Sequence, residues 1–323
     1  MVKKLIPAAV ILAFAGAAQA QMTIYGLIDA GIANQLTATK ANLDFNGNST
    51  TRLGFKGTTD LGSGVKGNFQ LEGGIDIDGN STRDTLFGRQ AWVGASGEFG
   101  EFRVGRQDSV PFQAMIGFDF NGGANVASAS TVGANLGLLQ SGRGDRSVQY
   151  IAPEVIPGLK VQAGYQGVVR DGAGVSVVAN AKATAALALT YTLGSLSVAA
   201  TAESKPFTDA STVSAVAASY DLGPAKVAVS YSGTKLLRTV DAGGAVSYAS
   251  GKGVMIGVVA PISGFNVGLQ YAKNTDTKKP GLEFFVNRQI LKNTYAYADF
   301  LLGETSYDTT RVYAYALGVI HTF

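Results

Sequence analysis

From Phe265 to Tyr271 the chain reads Phe-Asn-Val-Gly-Leu-Gln-Tyr, with every odd position apolar and every even one small or polar. Leu159–Gln166 alternates in the same way. So do Val65–Leu71, with Lys66, Asn68, Gln70 and Glu72 on the other parity, and Val227, Val229 and Tyr231 against Ala228, Ser230 and Ser232. A period of two is the strand period, so these segments predict an all-β fold with two chemically different faces. Soluble sandwiches and membrane barrels both alternate. The connections separate them. Short turns at 60–64, 97–100, 193–195, 222–225 and 291–293 alternate with long polar loops at 36–49, 109–142, 171–182, 235–250 and 274–280. Short turns at one end and long loops at the other are the pattern of a transmembrane barrel.

Counted this way, the chain holds about sixteen strands, running from 22–35 through 84–96 and 144–153 to 310–323. A membrane-spanning strand uses ~9–11 residues, which this spacing accommodates. An even number brings both termini to one end, and closure leaves no unpaired backbone edge in lipid. A barrel of this size encloses a water-filled lumen. Half of each strand then faces water, which accounts for a chain that is 46% hydrophobic without any long apolar run after its first twenty residues. The expected architecture is a 16-stranded antiparallel transmembrane β-barrel. No linker or composition break divides residues 21–323, which read as one domain.

Residues 1–20 read as a signal peptide. Lys3 and Lys4 open it, Leu5–Ala18 is apolar, and Ala18-Gln19-Ala20 is a small-x-small cleavage site, so cleavage is expected after Ala20. An N-terminal membrane anchor would need a longer apolar stretch, of about 20 residues. Removing Lys3 and Lys4, with no acids in the segment, takes the formal charge from +3 to +1. That balance offers no general attraction to nucleic acid. With no cysteine, the chain has no disulfide, thiolate metal site or cysteine nucleophile. An exported chain of this kind suits the periplasm or the outer membrane.

No P-loop, dinucleotide fingerprint or histidine-based metal pattern occurs, so no cofactor or metal is expected. The run Asp76-Ile77-Asp78-Gly79-Asn80 has its glycine out of place for a calcium loop, and Phe87 stands at its twelfth position. The single histidine, His321, shares parity with Tyr313, Tyr315, Leu317, Val319 and Phe323 and reads as part of an aromatic girdle. An outer-membrane enzyme centred on His321 is one alternative. A surface adhesin using Arg143-Gly144-Asp145 is another.

Ile24–Gly31, Thr51–Lys66 and above all Gly88–Gln107 (GRQAWVGASGEFGEFRVGRQ) resemble general porins of the Gram-negative, beta-proteobacterial branch; Gly264–Ala272 and the closing Gly318–Phe323 match more loosely. The resemblance implies a trimeric outer-membrane diffusion channel whose long third loop folds into the pore, in contact with outer-membrane lipid and lipopolysaccharide. It implies passage of small hydrophilic solutes and inorganic ions rather than catalysis. A substrate-specific porin for a small carboxylate, sugar or phosphate is the neighbouring reading.

A pore selects by width and by the charges at its narrowest point. Arg52, Arg89 and Arg143 resemble the wall arginines that make the family's constriction positive. Alternation supports Arg52, which shares lumen parity with Lys56 while Leu53 and Phe55 face lipid. It also supports Arg143, if Val148 and Tyr150 point outward. Arg89, on the parity of Ala91 and Val93, rests on the resemblance. Asp108 and Asp119 in or beside the third loop, with Glu72 on the wall, are the acids expected to face them. Lys56, Lys66, Arg103 and Lys160 point into the lumen by parity and read as its solvated lining.

Overall fold

The computed structural model describes residues 21–34, 43–45, 47–75, 77, 86–122, 128–129, 142–168, 181–204, 210–234, 237–240, 246–249, 252–304 and 311–323. The proposed signal peptide, 1–20, and the acids Asp76 and Asp78 lie outside these residues.

The alternating segments form strands, each paired antiparallel with its neighbours in sequence. In chain order these are β1 (Gln21–Asn34), the two-residue β2 (Leu43–Asp44), β3 (Arg52–Gly62), β4 (Val65–Gly74), β5 (Gln90–Gly97) and β6 (Gly100–Asp108). A short helix α1 (Val110–Met115) follows, then β7 (Arg143–Ile151), β8 (Leu159–Gln166), β9 (Thr184–Leu193), β10 (Leu196–Glu203), β11 (Val213–Asp221) and β12 (Lys226–Gly233). A separate small hairpin, β13 (Leu237–Val240) and β14 (Val246–Ala249), precedes β15 (Gly253–Ile262), β16 (Phe265–Asn274), β17 (Pro280–Leu291), β18 (Thr294–Glu304) and β19 (Arg311–Thr322). Setting aside β2, β13 and β14, sixteen strands form one ring, closed where β1 pairs with β19 from Leu27↔Thr322 to Ala33↔Ala316. Closure extends to the last residue, as the Phe323 and Gly26 amides and carbonyls bond to each other at 3.0 and 3.2 Å. The expected barrel and its strand number are both present.

The two faces are inverted relative to a water-soluble protein. Ile24, Ile28, Val93, Leu187, Val216, Ile256, Leu269, Phe284 and Leu317 are exposed, while Gln90, Gln149, Gln162, Ser230, Gln270, Glu283 and Asp299 are buried. Apolar side chains outside and polar ones inside fit a barrel whose solvent is lipid. The turn between β3 and β4 shows how tightly one end is drawn. Gly62 and Gly64 take φ of 89° and 76°, a conformation that costs glycine little.

The inward face of β10, β11 and β12 is built from small residues, including Ala199, Ala215, Ala217 and Ala228, all buried. This shallow wall leaves room for the start of the third long connection. Ser109 caps α1 by accepting a bond from the Phe112 amide at 3.2 Å, and Pro111 sits in the first turn, where its missing N–H costs nothing. Met115 and Phe118, in α1 and the 3-10 turn after it, pack with Ala199, Ala215 and Ala217 in one buried cluster.

Candidate functional site

Beyond Phe118 the connection reaches the far wall. The Phe120 amide donates to Gln270 Oε1 of β16 at 2.9 Å, and Asn121 Nδ2 donates to Glu283 Oε1 of β17 at 2.7 Å. The Ala129 amide donates to the other Glu283 oxygen at 2.8 Å. Gln270 and Glu283 belong to the lumen-side register, so the described part of this connection runs across the inside of the barrel. The first long loop is tied to the same wall. The Ser49 amide donates to Asp29 Oδ2 at 2.6 Å, and Tyr297 Oη donates to Asp29 Oδ1 at 2.7 Å.

Between this connection and the β3–β7 wall lies a cavity of about 840 Å³. Arg52, Arg89, Arg143 and Asp108 line it on one side. Asn266, Asn287, Gln289 and Tyr295 line the other, a neutral amide and hydroxyl surface that the sequence reading did not single out. A recess of about 200 Å³ continues it past Glu72, Gln70, Trp92 and Arg103.

The three arginines are held differently. Arg89 Nε lies 2.5 Å from Glu72 Oε1, whose other oxygen accepts from Tyr25 Oη at 2.8 Å. Arg143 Nε lies 3.2 Å from Asp108 Oδ1, close enough for charge attraction though without hydrogen-bond alignment. Arg52 has no carboxylate within ion-pair distance among the described residues, and its Nη2 lies 3.5 Å from Ser49 Oγ. Among the described residues, three guanidinium groups therefore meet two carboxylates, and one positive charge is left over. Guanidinium forks bind carboxylate and phosphate oxygens through paired, charge-assisted hydrogen bonds.

Two sequence-based expectations need correction. Asp119 does not line the cavity with the arginines. Its Oδ1 accepts from Gln270 Nε2 at 2.9 Å and from the Asn121 amide at 3.1 Å, which holds it against the opposite wall. Within the segment 84–96, residues 86–89 are turn and bend, and the strand begins at Gln90. Arg89 precedes the pleat and is free of its parity, which resolves its conflict with Ala91 and Val93.

Arg143 reaches the lumen by a less direct route than parity suggests. A register shift between Gly105 and Gln107 places an extra residue on β7, with Arg146 at φ 49°. Simple alternation is interrupted there, and Asp108 opposite Arg143 accompanies it into the cavity.

Lys56 Nζ sits 5.2 Å from the centre of the Tyr25 ring. The Arg103 guanidinium lies 4.5 Å over Trp92 and pairs with Glu101 at 2.8 Å. Lys66 and Lys160 are exposed in the lumen register towards the short turns, apart from the arginine cavity.

Among the described residues, neither alternative site is assembled. His321 shares a 2.8 Å contact between Nδ1 and Thr294 Oγ1, and no carboxylate orients its ring among the described residues. In the tripeptide Arg143-Gly144-Asp145, Arg143 faces the cavity and Asp145 pairs with Arg106 at 2.5 Å, so its two charged ends are already engaged.

A family model described as Gram-negative porin matches residues 8–313. The chain belongs to the Gram-negative porin family. This porin is similar to outer membrane porin protein 32 of Delftia acidovorans, at 31% identity over 330 residues, covering 92% of this chain and 88% of that protein. An outer membrane porin protein of Bordetella pertussis is 28% identical over 389 residues, covering 100% of both chains. In three dimensions it is similar to the anion-selective porin from Comamonas acidovorans, with a TM-score of 0.73 at 22% identity, covering 94% of this chain and 100% of that one. The trimer form of OmpT from Vibrio cholerae gives a TM-score of 0.64 at 14% identity, covering 94% and 99%. The porin forms a channel in the bacterial outer membrane, and the beta-proteobacterial resemblance read from Gly88–Gln107 holds.

Proposed function

We propose that the porin is a non-enzymatic diffusion channel that favours anions, with Arg52, Arg89 and Arg143 forming the positive side of its constriction. The observation that carries this is Arg52. Glu72 and Asp108 answer Arg89 and Arg143, while Arg52, at the cavity surface, has no carboxylate partner among the described residues. The acids across the lumen, Asp119, Glu283 and Asp299, are buried beneath the third connection or in the wall rather than presented to the cavity. In a low-dielectric channel mouth such an excess raises the local concentration of anions and speeds their entry. The anion-selective Comamonas neighbour supports this reading, and the trimeric OmpT neighbour supports a homotrimer. Export would use residues 1–20, removed after Ala20.

The test is the reversal potential of purified protein in a planar bilayer under a KCl gradient. Discrete conductance steps with a potential of anion-selective sign are expected. A cation-selective sign would transfer control to Asp108 and Glu72. A second reading, a solute-specific porin, draws on the amide and hydroxyl wall of Asn266, Asn287, Gln289 and Tyr295 facing the arginines. Saturable block of conductance by one carboxylate, sugar or phosphate would mark it.

A further inference from the structure

Near the short turns, the charged residues of the described strands point into the lumen, with one exception. Lys66, Glu101, Arg103, Lys160, Asp221 and Lys226 all lie in the inward register. Arg288 does not. On β17 the buried, inward residues are Gly281, Glu283 and Phe285, and Leu282, Phe284 and Arg288 share the exposed parity. Cross-strand pairing gives the same answer, since Arg288 stands opposite Ala296 while Asn287 stands opposite the buried Tyr297.

Its surroundings are apolar. The guanidinium lies 4.8 Å over the Phe265 ring, and Ile262, Ile290 and Leu291 at the same end are 50–69% exposed. No carboxylate pairs with Arg288 among the described residues. Four residues further on, Lys292 is exposed in the turn itself. An arginine on the lipid face is costly at mid-bilayer depth, and the cost falls towards zero at the interface. Phe265, with Phe99, Phe102 and Tyr150 clustered at another turn, marks the aromatic belt of that interface. The N-terminal strand begins at this end, which in an outer-membrane barrel is the periplasmic one.

We propose that Arg288, seated on Phe265, binds the phosphate of an anionic phospholipid in the periplasmic leaflet of the outer membrane. A planar guanidinium at headgroup depth, with no acid paired to it among the described residues, has a natural partner in lipid phosphate. A phosphatidylglycerol phosphate suits it better than one already neutralised by the lipid's own choline. Lys292 adds a second positive charge at the membrane surface, and the residue opposite Arg288 on β18 is the small Ala296. The site lies outside the lumen and acts on how the barrel sits in its membrane rather than on what passes through it. It rests on the outer-membrane placement of the barrel, not on the selectivity of the pore.

The test uses purified, detergent-extracted porin mixed with equal amounts of phosphatidylglycerol and phosphatidylcholine, with bound lipid counted by native mass spectrometry. The wild type should retain phosphatidylglycerol about fivefold over phosphatidylcholine, the size of effect one basic residue has near an anionic surface. Arg288→Gln should bring that ratio close to one. Lys273→Gln, which removes a cation at the long-loop end, should leave it unchanged. Conductance steps equal to wild type in Arg288→Gln show that the barrel is intact, so the channel reading is scored separately. The proposal is overturned by a wild-type ratio near one or by a preference that survives Arg288→Gln. Loss of lipopolysaccharide retention in Arg288→Gln, with phosphatidylglycerol retention intact, would also overturn it.

Discussion

Glu72 and Arg89, seventeen residues apart, meet at 2.5 Å in the recess that Arg52 also lines. This pairing decides how much positive charge the cavity presents, because Glu72 offsets one of three guanidinium groups. Removing the carboxylate therefore has a signed consequence. Glu72→Gln keeps an acceptor for Tyr25 Oη and releases the charge of Arg89. A unit charge about 4 Å away is worth about 1 kcal/mol even in water, a factor of about five in local ion concentration. The chloride-to-potassium permeability ratio should rise by up to about fivefold in Glu72→Gln, read from the reversal potential at low salt.

Asp108 and Asp119 should separate under the same assay. Asp108 lines the cavity beside Arg143, so Asp108→Asn should raise anion preference as Glu72→Gln does. Asp119 faces Gln270 and the Asn121 amide on the opposite wall. Asp119→Asn should shift the permeability ratio by less than about twofold, since its charge is farther from the arginines and its field is weakened by the intervening water. Equal shifts from the two variants would contradict the placement of Asp119.

The seat of the third connection makes a packing prediction. Ala217 on β11 lies in the same buried cluster as Met115 and Phe118. Ala217→Leu adds methylenes where the wall is shallow and should destabilise by ~1–3 kcal/mol, in the usual range for overpacked cores. Thermal unfolding should show a lower midpoint, and single-channel traces should show added noise as the connection is displaced.

Screening should act on the selectivity as well. The Debye length falls from ~10 Å at 0.1 M to ~3 Å at 1 M salt. Selectivity set by the charge of Arg52 should decline as mean KCl concentration rises at constant gradient ratio. A ratio independent of salt would point to discrimination by width alone.

The barrel was legible in the sequence because alternation is a local property. Phe265–Tyr271 states its own two faces without reference to any other strand, and the turn and loop lengths give the two ends. Arg52 was placed by the same rule. Arg89 could not be, because the rule applies only inside a strand and β5 begins one residue later. Arg143 lies across a register shift that leaves little trace in sequence, where an arginine at φ 49° looks like any other strand residue. Asp119 was placed by proximity in the chain to a loop expected inside the pore, whereas its contacts are with Gln270 on a strand 151 residues away. One signal did exist for that seat. The runs around Ala199 and Ala215–Ala217 put small residues on the inward parity of adjacent strands, leaving a hollow wall for something to fill.

The most direct measurement compares reversal potentials of the wild type and of the triple variant Arg52→Gln, Arg89→Gln, Arg143→Gln in planar bilayers under one KCl gradient. The wild type should show an anion-selective potential. The variant should keep discrete conductance steps and reverse towards cation selectivity, because Glu72 and Asp108 then face the cavity unanswered. An anion-selective potential that survives loss of all three arginines would contradict the account.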